Sequence, residues 1–299
     1  MFAFLRFPPT LNNPWNWARA RRWDAPFWQY LPPKLRVSVK NGGKSDLRRC
    51  LPTIFRAPRL FVDATLTQDA RVPLDRDQSN YLGNVLRLAA GAEVLAFNGR
   101  DGEWQAAIEG RKRPDGLVIL QQTRPQDRLA DLAYVFAPLK HARLDYMVQK
   151  AIEMGAARLQ PVLTRFTQAS RVNTERMRAN VVEAAEQCGI LSIATVAEPV
   201  ALERFLSQRP ADRLLIFCDE AAEVEDPIQG LQSARKTGQG IDVLIGPEGG
   251  FAEEERALLL RQPKFLRLAL GPRIMRADTA AVAALALVQA VLGDWGKSA

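Results

Sequence analysis

Leu244-Ile-Gly-Pro-Glu-Gly-Gly-Phe251 runs from an apolar strand end through a glycine-rich loop to the approach of a helix. In open parallel sheets ligands sit at the carboxyl ends of strands, and glycines there let a ligand reach the backbone. The loop lacks the Gly-Lys-Ser/Thr ending of a phosphate loop. Glu253, Glu254 and Glu255 follow it in the first helical turn, where they favour the helix dipole and would repel a phosphate. A dinucleotide fold would carry its glycines after the first strand, whereas these follow a late one. The loop therefore suits a ligand without phosphates. A plain tight turn is the competing reading of a lone Gly-Gly pair.

A second stretch, Leu268-Ala-Leu-Gly-Pro-Arg-Ile-Met-Arg276, repeats the pattern of strand and glycine-bearing loop, and Ala277-Asp-Thr-Ala-Ala281 opens a helix after it. Arg273 and Arg276 lie on this loop, beside the first one if the two strands are neighbours. Asp278 has the chemistry of a helix N-cap as well as that of a functional carboxylate.

Around these loops, residues 128–299 alternate strand and helix, which implies an α/β domain with a parallel sheet and helices on both faces. Strands are expected at 132–136, 159–163, 213–217, 242–245 and 265–270. Helices are expected at 143–154, 173–188 (Asn173 as cap, Gly189 as stop), 202–206, 252–261 and 277–292. Residues 57–127 have a β-rich rhythm instead. Strands are expected at 59–63, 93–97, 103–108 and 117–120, with an Asn98-Gly99 turn between the second and third. A helix is expected over 77–88, with Tyr81, Leu82, Val85 and Leu86 on one face.

Residues 1–56 differ again. They hold four of the six tryptophans and eleven basic residues against Asp24 and Asp46. The net charge of +8 thus resides there, since the rest of the chain carries 30 basic and 31 acidic residues. A disordered basic arm, a transit peptide poor in serine, and an over-annotated extension ahead of Ala57 or Arg59 all compete. Nothing in the segment builds a core, which favours the extension. No run of about 18 apolar residues exists, so no membrane span is expected. Cys50, Cys188 and Cys218 show neither metal nor disulfide spacing, which suits a cytoplasmic protein. With His141 as the only histidine, no metal site is expected, and a Ser-His-Asp hydrolase would have to be built on that one residue.

Taken in order, several stretches resemble the RsmE family of 16S ribosomal RNA methyltransferases. They are Gly246-Pro-Glu-Gly-Gly250, Leu270 to Ala280, Leu139 to Gly155, Pro161 to Thr167 and Glu183 to Gly189. In the small domain they are Arg59 to Val62, Tyr81 to Leu88 and Phe97 to Trp104. The resemblance spans roughly residues 57–295, and several motifs in one order are far more specific than any one alone. It departs at Asp278, where the family usually has Glu, at Asn80 (often His) and at Ile190 (commonly Arg).

The resemblance implies a PUA-like β-barrel domain over 57–127 and a SPOUT domain over 128–299. The latter's C-terminal strands and loops form a deep trefoil knot holding bent S-adenosylmethionine in a homodimer. It also implies methylation of N3 of a uridine in the small-subunit RNA. On that basis Leu244, Ile245, Gly246, Pro247, Gly249, Gly250, Leu268, Leu270, Gly271 and Ile274 are expected to hold the cofactor. Arg276, Glu248 and Asp278 are expected to carry the chemistry. Arg59, Arg71, Arg76, Arg87, Lys140, Arg143 and Arg165, with Arg171, are expected to contact RNA phosphates. Ribose 2′-O-methylation and a non-catalytic ribosome-assembly role are the alternatives. A nucleotide-dependent oxidoreductase is disfavoured by the late position of the glycine loops.

Overall fold

The computed structural model describes residues 57–140, 142–169, 171–219, 222, 226–234 and 240–295. The expectations for residues 1–56 lie outside the described residues.

The first sheet contains β1 (Arg59–Phe61), β2 (Arg71–Pro73), β3 (Glu93–Phe97), β4 (Glu103–Glu109) and β5 (Gly116–Arg124) in the order β1-β3-β4-β5-β2. Only the β1–β3 pairing is parallel. Alternating residues such as Val94, Ala96, Ala106, Ile108, Leu117 and Ile119 close its core with Leu60, Val62 and Leu82. β2 was not expected, because a three-residue strand ending in proline carries little pattern.

The expected 77–88 helix is different in kind. α1 (Arg76–Asn80) starts earlier, capped by Asp75, whose carboxylate accepts from the Gln78 amide at 2.7 Å. It runs into a wider turn over Tyr81–Val85, closed by the Leu86 amide donating to the Tyr81 carbonyl five residues back at 2.9 Å. The expected single apolar face is divided between core and solvent. Leu82 is buried, while Tyr81 and Val85 are 37% and 62% exposed.

The second sheet is parallel in every pairing. It comprises β6 (Leu132–Phe136), β7 (Arg158–Leu163), β8 (Thr195–Val196), β9 (Val200–Ala201), β10 (Leu214–Cys218), β11 (Ile241–Ile245) and β12 (Phe265–Leu268). The order is β12-β10-β11-β6-β7-β8, with β9 also on β7. Both faces are covered, as the near-continuous apolar strands require. On one face Leu132, Tyr134, Phe136, Ile216 and Val243 pack with α2 (Ala142–Glu153), α3 (Thr174–Cys188), α5 (Pro227–Ala234) and α7 (Ala277–Val291). On the other, Val135, Phe217 and Leu244 pack with α4 (Leu202–Gln208) and α6 (Glu253–Leu260). α5 went unread because Pro-Ile-Gln-Gly-Leu-Gln-Ser-Ala offers one buried side chain, Leu231. The chain leaves β12 at the sheet edge, turns back over 269–276, and α7 returns to pack on β11 and α2.

Arg59 corrects an expectation. It is 7% exposed rather than turned to RNA. Its Nε donates to Glu103 at 2.8 Å, and its Nη atoms donate to the Glu186 and Ile190 carbonyls at 3.1 and 2.9 Å and to that of Ala185. A cation thus satisfies the carbonyl end of α3 from the neighbouring sheet. Arg124 completes the junction, bonding Glu103 through both Nε and Nη2 and the Gly189 carbonyl at 3.0 Å. Burial alone would raise the Glu103 carboxyl, but the hydrogen bonds from Arg124 and Arg59 outweigh it and hold it below its ordinary value.

Candidate active site

The pairing register sets Cys218 level with both Ile245 and Leu268, so three parallel strands end together. β11 feeds the 246–252 loop and β12 the 269–276 loop. The strands are not neighbours, the condition on which the sequence reading set the loops side by side, because β10 lies between them. The loops nevertheless meet across its end. They enclose a cleft of about 690 Å³ lined by 245–250, 268–277 and Ala280, with Cys218, Asp219, Ala222 and Arg143.

Of the residues proposed from sequence, Ile245, Gly246, Pro247, Glu248, Gly249, Gly250, Leu268, Leu270, Gly271, Ile274 and Arg276 line this cleft. Leu244 does not. It is fully buried on the opposite sheet face among Phe217, Phe251 and Leu259, because successive strand residues face opposite ways. Asp278 is also absent from the wall. Nor is it the N-cap, a position that Arg276 occupies without a side-chain cap. Asp278 lies in the first turn, where its Oδ1 accepts from the Thr279 amide at 2.8 Å. Arg143 joins the cleft rather than a remote RNA track, with Nη1 3.5 Å from the Glu248 carboxylate.

The loops are braced from beneath. The buried Glu255 carboxylate accepts from the Ala252 amide at 2.9 Å and from the Arg165 amide at 2.8 Å. It therefore ties the 164–167 turn to the start of α6 instead of facing water as a dipole charge. That turn sets the Phe166 ring against the glycine loop, where a Cβ on Gly249 would stand 3.2 Å from the Phe166 Cβ. Gly271, at φ 94°, takes a backbone conformation that side chains resist, and a Cβ there would meet nothing within 4 Å.

Sequence reasoning missed Cys218 and Asp219. The Asp219 carboxylate is fully buried and paired with Arg256 and with Arg267 (Nε at 2.7 Å). Desolvation, reinforced by the Asp219 charge, pushes the Cys218 thiol up to about 12. Burial thus disfavours the thiolate form that a nucleophile would need. The available signal was positional: a Cys-Asp pair ending a buried strand.

The remaining basic residues lie on the surface. Arg71 and Arg165 approach Glu109 and Glu254 at 3.7 Å, and Arg76, Arg87, Lys140 and Arg171 are exposed. Arg71, Arg76 and Arg87 are on the small domain.

A family model described as an RNA methyltransferase domain matches residues 125–289, more than half of the chain. The chain belongs to that family. A second model, an RNA methyltransferase PUA domain, matches residues 74–119. This RNA methyltransferase is 29% identical over 233 residues to a protein of Rickettsia conorii named ribosomal RNA small subunit methyltransferase E, covering 77% of this chain and 94% of that one. It resembles a solved methyltransferase of Legionella pneumophila with bound S-adenosylmethionine at a TM-score of 0.70 and 28% identity, over 80% of this chain and 99% of the other. It also resembles the ribosomal RNA small subunit methyltransferase E of Neisseria gonorrhoeae, bound to S-adenosylmethionine. There the TM-score is 0.69 and the identity 25%, with the same coverage. The RNA methyltransferase therefore has the expected α/β architecture, a SPOUT-type sheet preceded by a PUA-like domain.

Proposed function

We propose that the chain uses S-adenosylmethionine to methylate N3 of a uridine in the 16S ribosomal RNA of the small subunit. The observation that carries this reading is the meeting of the 246–250 and 270–276 turns across the end of β10 in one cleft. The cleft fits such a cofactor. Its wall combines apolar side chains and loop backbone with a few charged groups, as a cofactor with an apolar base and a charged amino-acid end requires. Backbone groups of 245–250 and 268–274 would hold adenine, ribose and methionine. Bound there, the cofactor supplies a sulfonium methyl group.

Uracil N3 carries a proton that must leave before the nitrogen becomes nucleophilic. Glu248 is assigned to accept it at a carboxylate oxygen, with the Arg143 guanidinium 3.5 Å away to keep that carboxylate oriented. Arg276, exposed on the cleft wall, is assigned to the negative charge that develops on the uracil oxygens. Asp278, in the first turn of α7, is assigned to fixing that turn and not to proton transfer. Alignment of N3 with the methyl group and stabilisation of charge on the uracil are assigned as the sources of rate.

Exposed Arg71, Arg76, Arg87, Lys140 and Arg165 are assigned to ribosomal RNA phosphates, and the chain to a homodimer working in the cytoplasm. No helix among the described residues is long and apolar enough to cross a membrane.

Deleting the gene and mapping ribosomal RNA methyl groups by mass spectrometry tests the reaction. Loss of one N3-methyluridine from 16S RNA, restored by purified protein on assembled small subunits, is expected. Loss of a ribose methyl instead, or of none, overturns it.

A further inference from the structure

The Tyr81–Val85 turn carries two apolar side chains, four residues apart and so on one side of it, that both face water. Tyr81 is 37% and Val85 62% exposed, in a turn widened to five. The turn ends at Arg87, which holds φ 56°, a left-handed conformation that costs a side-chain-bearing residue energy glycine would not lose. The Leu88 amide donates to the Leu82 carbonyl at 2.9 Å across it, so Arg87 occupies the position where helix ends ordinarily carry glycine. The Arg87 side chain is exposed there.

A second cluster is clamped beside this turn. Arg111, Lys112 and Arg113 are exposed on the β4–β5 connection. The next residue, Pro114, accepts a hydrogen bond from the Ser79 hydroxyl through its carbonyl. Its ring lies so close to Gly83 that a Cβ there would stand 2.9 Å from Pro114 Cδ. The basic loop is therefore held against the turn that displays Tyr81. Arg76 begins α1 on the same segment. Asp75, Asp77, Glu109 and Asp115 are the carboxylates nearby in sequence, against five cations; Asp75 is occupied in capping α1, and Glu109 is approached by Arg71 at 3.7 Å.

An aromatic ring beside an aliphatic side chain, bordered by cations, matches an unpaired nucleotide: the base stacks and the flanking phosphates meet arginine and lysine. A duplex would keep its bases from the ring. We infer that Tyr81 and Val85, with Arg87 and the Arg111–Arg113 loop, form a stacking platform that docks a single-stranded segment of the substrate RNA. This rests on the RNA methyltransferase reading and adds to it the form of RNA recognised and the residues that read it. Tyr81, Val85 and the 111–113 triplet were not among the RNA contacts expected from sequence.

The test uses the full chain, fluorescence anisotropy with a labelled oligouridylate, and a blunt RNA duplex of equal length as comparison. The oligouridylate should bind more tightly than the duplex. Tyr81→Ala should weaken oligouridylate binding on the order of 10-fold, with Tyr81→Phe near the parent protein. Arg87→Gly, which suits the left-handed backbone, should lower the slope of log affinity against log salt by about one phosphate contact. Melting curves of all variants verify folding, and calorimetry with S-adenosylmethionine should give the parent affinity in each. Failure of every protein to bind the cofactor would sink the enzyme reading while leaving the platform measurable. Tyr81→Ala binding oligouridylate as tightly as the parent, or a duplex preferred over the single strand, would overturn the platform.

Discussion

Arg276 and Arg59 show how far one residue type can mislead. Both are arginines in matched stretches, yet Arg276 is exposed on the cleft wall and Arg59 is locked between domains. Arg276→Ala should abolish methyl transfer in a single-turnover assay while calorimetry shows cofactor affinity nearly unchanged, because charge on uracil develops only during reaction. Retained transfer would remove Arg276 from its role. For the junction, Glu103→Gln should lower stability by about 3 kcal/mol in denaturant unfolding, since it leaves two arginines without their shared charge. The pH dependence has a definite sign. The Glu103 carboxyl is depressed in the folded protein. Its contribution is present above the unfolded value of about 4.3 and is lost as pH falls through the folded one. The melting temperatures of parent and Glu103→Gln, separated at neutral pH, should therefore converge on acidification below about pH 4. Arg276 was legible in the sequence, but the junction was not, because a buried arginine is marked only by its tertiary partners. Asp219 was hidden for the same reason.

At the scale of elements, apolar periodicity located most strands and helices, because covered parallel strands read as apolar runs and amphipathic helices repeat every three to four residues. Caps were legible too. Asn173 accepts from the Arg176 amide at 3.0 Å and Gly189 closes α3 at φ 73°. Asn173→Ala should cost about 1 kcal/mol in thermal or denaturant unfolding. A larger lesion is expected where α2 meets α7. Gly155 has φ 79°, and a Cβ there would lie 2.2 Å from the Gln289 amide nitrogen, which donates to the Met154 carbonyl at 2.8 Å. Gly155→Ala should destabilise by about 1–3 kcal/mol and, by shifting α7, weaken cofactor binding. Unchanged melting would show that this contact is not needed. The wide turn at Tyr81 was illegible because one extra residue per turn leaves no periodic trace in so short a segment. β8 and β9, two residues each, are likewise below any pattern.

At the scale of the molecule, the glycine loops were legible as a pair, but their meeting depends on β10 entering between β11 and β12, an order that no local pattern encodes. The fold and the RNA methyltransferase family follow from the ordered motifs taken together, since each alone reads equally well as a turn or a cap. The homodimer proposal predicts a sedimentation mass twice the chain's 33.3 kDa. The account as a whole depends on one cleft taking one small molecule. Isothermal titration of the purified chain with S-adenosylmethionine tests this most directly. Saturable uptake of one cofactor per chain, unaffected by excess inorganic phosphate, is the predicted result. No measurable heat of binding, or displacement by phosphate, would contradict it.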